Sequence, residues 1–167
     1  YAAQFETGHW RDPLLRIAAW PDPDTLSSAD RECLLDMAFR CHAPTMLEPF
    51  APYRRLRDIM AYVRGQDGNG LSYLSGAFFA DLATWYLLAW SGESLRRSGK
   101  VIPQLMAKGG GFSLPERQSL LGELSAAVAG LIPRYRALAE SGQVELSCTP
   151  ATHSLAPLMI DFNSARE

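Results

Sequence analysis

The segment AFFADLATWYLLAW, residues 77–90, limits most strongly what this chain can fold into. Its apolar residues lie nearly all round a helix, and Asp81 carries the only charge in the segment. A helix of this kind is stable only when other elements cover it on several sides. The segment is also shorter than the roughly 20 apolar residues that a bilayer requires. We therefore predict a buried helix over residues 71–90 at the centre of a globular fold.

The overall composition excludes several classes of protein. The chain has 167 residues, of which 47% are hydrophobic and 20% charged, and this is enough for one domain with a real core. A net charge of −2 provides no basic face, so we expect neither a nucleic-acid nor a membrane partner. Cys33, Cys41 and Cys148 have neither disulfide-framework nor zinc-ligand spacing. We predict no metal and no cofactor, and we expect a cytoplasmic location.

Local signals predict further helices. Asp12 before Pro13 is typical of a helix start, and Ser27 or Ser28 begins the next helix. In SLPE, Ser113 and Glu116 form a capping box that begins a long helix. That helix is predicted to continue to about Ser141. The remaining signals are a third helix over 48–65, a short helix in QLMAKGGG, a kink at Pro133 and a left-handed stop at Gly142.

The segment QVELSC alternates after these helices and predicts a strand. Val144, Leu146 and Cys148 would point to one side, with Glu145 and Ser147 on the other. A single strand cannot satisfy its own backbone groups, so it would pair with strands elsewhere or with a second copy of this chain. The predicted fold is therefore mainly α, with five or six helices and one or two short strands. Self-association through the unpaired strand is one consequence.

Two residues are candidates for substrate binding. His153 follows the predicted strand, in a loop position where barrel and open-sheet enzymes place their sites. Its alternative role is structural, bonding to the loop backbone. Trp90 ends the apolar helix and could stack on a sugar, whereas the other aromatic residues at this spacing are expected to be core. Glu145 and Asp161 flank His153 in sequence, but their spacing does not show that they face each other.

The glycine-rich segment KGGGFS, residues 108–113, has two interpretations. A phosphate cradle would use its backbone amides. However, the segment lacks the Gly-Lys-Ser/Thr ending of a P-loop and follows no strand. We therefore favour a flexible connector between two helices.

Several segments together resemble glycoside hydrolase family 57. RYRALAESGQVELSCTPATHSLAPLMID is similar to the family's Y..L...GQIE..T.P.YHPILPL..D, and DLATWYLLAW resembles its DLQVWFNLAW. LMAKGGGFSLPE resembles L..KGRNFT..D, and EPFAPYRRL resembles KPYPRYAEL. Order and spacing agree from about Cys41 to Asp161. The chain departs from the family at Ala151, Thr152 and Ser154, and GGGF replaces GRNF.

The resemblance implies a fold and an activity. Family members have an incomplete, seven-stranded β/α barrel and act on α-glucans by a retaining mechanism. Residues 1–167 would be one piece of that barrel: the helical excursion after strand one, followed by strand two. Both ends would continue into a longer protein. His153 would align with a histidine beside the substrate cleft, and the parent enzyme would act on an α-glucan or maltooligosaccharide.

The resemblance also implies that the two catalytic acids lie outside this chain. We therefore assign no catalytic residue here and expect the chain alone to be inactive. The competing hypothesis is a non-enzymatic helical module, which would bind a protein partner by adding a strand to the unpaired one.

Overall fold

The computed structural model describes residues 2–65, 70–147, 161 and 163. The chain divides into two compact units, residues 1–129 and residues 130–167. The described residues form ten α-helices, and 3₁₀ turns cover Pro23–Thr25 and Gly70–Tyr73. The helices are α1 Ala2–Thr7, α2 Pro13–Ala19, α3 Ser28–Met37, α4 Ala43–Met46, α5 Ala51–Arg64, α6 Gly76–Trp90, α7 Glu93–Ser98, α8 Ile102–Lys108, α9 Leu114–Ala129 and α10 Leu131–Glu140.

Helix α6 is the centre of the first unit, as its composition predicts. Helices α2, α3 and α5 pack against it, and eleven of its residues are buried. The helix begins where Ser75 accepts a hydrogen bond from the amide of Phe78. At its first turn, the Gly76 amide donates to Asp24 Oδ1 at 2.6 Å. A Cβ atom at Gly76 would lie 2.4 Å from the Asp24 nitrogen, so only glycine allows this approach.

The predicted helix starts are confirmed at three places. The Asp12 carboxylate accepts from the amides of Leu14 and Leu15, and Ser27 Oγ accepts from the amide of Asp30. Glu116 reaches back to the Ser113 amide at 2.7 Å. These side chains satisfy amides that have no partner within the first turn of a helix.

The long helix predicted after SLPE is two helices. Helix α9 ends at Ala129 and α10 begins at Leu131, so the break falls at Gly130 rather than at Pro133. Pro133 is the third residue of α10, where its missing N–H would have had no helical partner. The stop at Gly142 is as predicted, with a φ of 70°.

The predicted fold class is wrong in its strands, its number of helices and its barrel. Residues 144–147 adopt no regular secondary structure, and the described residues contain no strand. Val144 and Leu146 are exposed, so the alternation does not correspond to a covered apolar face. Five alternating residues are a weak signal when the described part of the chain offers no strand to pair with them. Cys148 lies outside the described residues.

Two helices that the sequence analysis did not predict lie in segments whose composition is typical of connecting loops. The polar segment SGESLRRSGKVIP contains α7, whose Glu93 pairs with Arg97 at 2.7 Å across one turn. The proline-containing segment after His42 forms the short helix α4. Short helices between prolines and glycines lack the long periodic pattern on which helix prediction depends.

A set of hydrogen bonds between α9 and the start of α8 organises the first unit further. The Glu123 carboxylate accepts hydrogen bonds from three successive amides, those of Lys100, Val101 and Ile102, at 2.6, 3.1 and 2.8 Å. A carboxylate in this position satisfies donors at a helix N-terminus and complements the helix dipole. The polar segment before α8 is thereby fixed by a residue more than twenty positions away.

In the second unit the structure describes α10, residues 141–147 without regular secondary structure, and residues 161 and 163. Helix α10 has no buried residue, and Leu131, Ile132 and Tyr135 are each at least half exposed. Among the residues that the structure describes, no helix combines the length and hydrophobicity needed to cross a membrane.

Candidate functional site

Trp90 is the last residue of α6, and its side chain is exposed to solvent. Its side chain is 53% exposed, whereas Trp85 on the same helix is 1% exposed. The Tyr86 ring lies one turn earlier, with ring centroids 5.9 Å apart and a tilt of 42°. Two neighbouring rings at a helix end offer apolar faces suited to sugar stacking.

Trp85, which is buried in the core, holds this end of α6 in position. Its ring stacks on Tyr53 at 5.9 Å and 14°, and it lies 5.7 Å from the Phe50 ring. Its indole Nε1 donates to the Gly109 carbonyl oxygen at 2.9 Å. Segments of α5, α6 and the glycine-rich loop therefore meet at one buried indole.

Asp81 holds the glycine-rich loop from the preceding turns of α6. Its carboxylate accepts from the amides of Gly111 and Phe112, at 2.8 and 2.9 Å. A Cβ atom at Gly110 would lie 3.0 Å from Asp81 Oδ2, and Gly109 and Gly111 have φ angles of 82° and 66°. These amides already bind a carboxylate, which agrees with the connector interpretation of KGGGFS rather than the phosphate cradle.

Lys108 and Glu116 close the same loop at its surface. Lys108 Nζ donates to Glu116 at 2.7 Å and to the Gly111 carbonyl at 2.8 Å. The hydrogen bond from Lys108, followed by those from the Ser113 amide and hydroxyl, lowers the pKa of Glu116 to about 2. Glu116 is therefore a carboxylate that caps a helix, and it is not poised to act as a general acid.

We expect the contribution of Glu116 to stability to depend on pH. A lowered pKa means that the contribution is complete above the unfolded-state value of about 4.5 and is lost as the pH falls through about 2. The Glu116→Gln variant should melt below the parent at about pH 6, and the two melting temperatures should converge between about pH 4.5 and 2. Thermal unfolding followed by circular dichroism at several pH values measures this difference. A difference that stays constant over that range would contradict the assignment.

Arg117 connects α9 to the end of α2. Its side chain is buried at 2% exposure, and Nη1 donates to the carbonyl oxygens of Ala18 and Trp20, at 2.7 and 2.8 Å. Burial lowers the pKa of Arg117, and the negative charge of Asp81 opposes that shift. The guanidinium thus satisfies carbonyls that lack helical partners at the C-terminus of α2.

The comparisons with known proteins decide the family. A model of glycosyl hydrolase family 57 matches residues 13–167. The chain belongs to glycosyl hydrolase family 57. The predicted resemblance is confirmed, and the match also covers residues 13–40, where the quoted motifs give little likeness. No match was found among curated proteins, and none was found among solved structures.

Three of the segments that resemble family 57 motifs meet at Trp85 and Asp81. EPFAPYRRL supplies Phe50 and Tyr53, and LMAKGGGFSLPE supplies the loop that both α6 residues bind. The sequence singled out these motifs but gave no contact between them. A single acidic residue in an apolar helix needs hydrogen-bond donors, and a glycine-rich loop can supply backbone amides. This combination was the sequence signal that could have predicted the contact between Asp81 and the loop.

The other residues that the sequence singled out are not part of this cluster of contacts. His153 lies outside the described residues. Glu145 is exposed in the irregular residues 144–147. Asp161 Oδ1 accepts from the amide of Asn163 at 2.9 Å, which is a local turn contact. The described part of the chain contains no group of three histidine, cysteine or acidic residues that could hold a metal ion.

Proposed function

We propose that this chain is part of an α-glucan-active retaining glycoside hydrolase or transglycosylase. In that enzyme it would supply scaffold and one wall of the substrate cleft. The observation that carries the proposal is the family match over residues 13–167. In a retaining mechanism one carboxylate attacks the anomeric carbon while a carboxylic acid protonates the leaving oxygen. The role proposed for this chain is to bind and orient the glucan, not to supply either acid.

The exposed indole of Trp90 is the proposed contact for a glucosyl unit. Buried Trp85, one turn and a residue earlier, holds α6 against α5 and the glycine-rich loop. Trp90 therefore stands on a fixed helix end, and a rigid ring loses little entropy when a sugar stacks on it. His153 is proposed as a second contact on the same substrate, on the strength of its match to the family's histidine alone.

Maltoheptaose binding measured by calorimetry tests this role. The Trp90→Ala variant should bind about fivefold more weakly than the parent, as expected for the loss of roughly 1 kcal/mol of stacking. Tyr62→Ala is the matched control, because Tyr62 is an aromatic residue 70% exposed on α5. Equal weakening by both variants, or none by either, would contradict the proposed contact.

The competing hypothesis of an interaction module loses its predicted docking edge, because residues 144–147 form no strand. Self-association itself stays a prediction, and the exposed apolar residues of α10 are the observation that favours it. A chain that elutes as a monomer from a sizing column and binds maltoheptaose would exclude this alternative. We also propose the cytoplasm as the location, since Cys33 and Cys41 are free thiols.

A further inference from the structure

A second cleft lies between the loop after α1 and the end of α2. Its volume is about 800 Å³, within the range of small-molecule sites in proteins. It is lined by His9, Trp10 and Arg11 from the loop, by Arg16 from α2 and by Trp20, which directly follows α2. The three loop residues precede the residues that the family match covers. Neither Trp90 nor the glycine-rich loop contributes to it.

The structure holds the walls of this cleft in place. Gln4 Oε1 accepts from the amides of Arg11 and Asp12, at 2.6 and 3.1 Å, which fixes the loop against α1. The Trp10 ring rests against Phe5 in an edge-to-face contact, with centroids 5.1 Å apart. Trp20 is fixed at its ring as well as at its backbone, because its indole Nε1 donates to Thr25 Oγ1 at 3.0 Å.

The charged groups that line the cleft are both cationic. Arg11 and Arg16 bring two guanidinium groups, and the described residues that line the cleft include no carboxylate. Asp30, which is outside the lining, pairs with one nitrogen of Arg16. The Asp12 carboxylate accepts from the first amides of α2. The side chain of Arg11 forms no ion pair with any residue in the described ranges.

We propose that this cleft binds a phosphorylated monosaccharide. The guanidinium groups of Arg11 and Arg16 would hold the phosphate, since a planar guanidinium can donate two parallel hydrogen bonds to phosphate oxygens. The sugar ring would lie against the faces of Trp10 and Trp20, which offer flat apolar surface to its C–H groups. A neutral sugar would leave the Arg11 guanidinium without a charged partner, because Arg16 alone of the two pairs with a carboxylate. The assignment of the ring as a sugar rests on the family to which the chain belongs.

Calorimetric titration of the full chain with glucose 6-phosphate tests this site. We expect binding that weakens at least about tenfold in the Arg11→Gln variant, as for the loss of one charge-assisted hydrogen bond. Arg136→Gln is the matched control. It removes the same charge from an exposed position on α10, and it should change the affinity less than about twofold. Circular dichroism confirms that both variants are folded.

Three further probes identify which part of the ligand is recognised. Glucose should bind far more weakly than glucose 6-phosphate, inorganic phosphate should be intermediate, and AMP should be weaker than the sugar phosphate. The proposal is overturned if glucose 6-phosphate does not bind or if Arg11→Gln leaves its affinity unchanged. It is equally overturned if glucose, phosphate or AMP binds as tightly as glucose 6-phosphate. Loss of maltoheptaose binding in Trp90→Ala tests the other site and does not affect this result.

Discussion

Replacing Trp85 with alanine is expected to lower the free energy of unfolding by about 4 kcal/mol, the usual cost of removing a buried tryptophan. The side chain is 1% exposed and contacts the rings of Phe50 and Tyr53. The substitution leaves a cavity between the Phe50 and Tyr53 rings and the Gly109 carbonyl, where three segments of the chain meet, so collapse around it is restricted. It also leaves the Gly109 carbonyl without its indole donor. Urea denaturation followed by circular dichroism measures the change.

Two controls separate packing from the hydrogen bond. Trp85→Phe keeps most of the ring and loses the N–H donor, and should cost about 1–2 kcal/mol. Trp90→Ala removes the same residue type from an exposed position on the same helix, and should cost less than about 1 kcal/mol. If Trp85→Ala were no more destabilising than Trp90→Ala, the buried indole would not be the element that joins the three segments.

Replacing Arg117 with methionine is expected to cost about 3 kcal/mol of stability. Methionine fills similar space but donates no hydrogen bond to the carbonyls of Ala18 and Trp20. Each bond comes from a charged donor, and such bonds are stronger than neutral ones. The same urea experiment measures the loss.

The matched control is Gln118→Met, an exposed position next along α9. It should change the free energy of unfolding by no more than about 0.5 kcal/mol. Arg117→Lys should lie between the two, because a lysine ammonium keeps the charge but not the planar fork. A methionine variant at 117 as stable as the parent would show that water replaces the guanidinium at these carbonyls.

The sequence predicts best those features that depend on neighbouring residues. The caps at Asp12 and Ser27, the Ser113–Glu116 pair and the stop at Gly142 all involve partners within four residues. The burial of α6 also follows from its own composition, because a helix apolar on all sides must be covered. These local signals need no knowledge of what the rest of the chain does.

Contacts between distant segments could not be predicted in this way. Arg117 lies 99 residues from Ala18, and Asp81 lies 30 from Gly111. Nothing in the immediate sequence distinguishes Arg117 from a solvated arginine on a helix surface. The strand prediction failed for the same reason. Alternation over Val144–Cys148 records only the order of side chains, whereas a strand depends on a partner to receive its hydrogen bonds.

We propose that Trp90 contacts the glucan while Trp85 supports the site from the core. The chain has four tryptophans, so a sample labelled with 5-fluorotryptophan gives one fluorine signal for each, assigned from single Trp→Phe variants. In a titration with maltoheptaose, the signal of Trp90 should move with ligand concentration, and the signal of Trp85 should stay within its line width. A titration that moves the Trp85 signal, or that leaves the Trp90 signal in place, would contradict the claim.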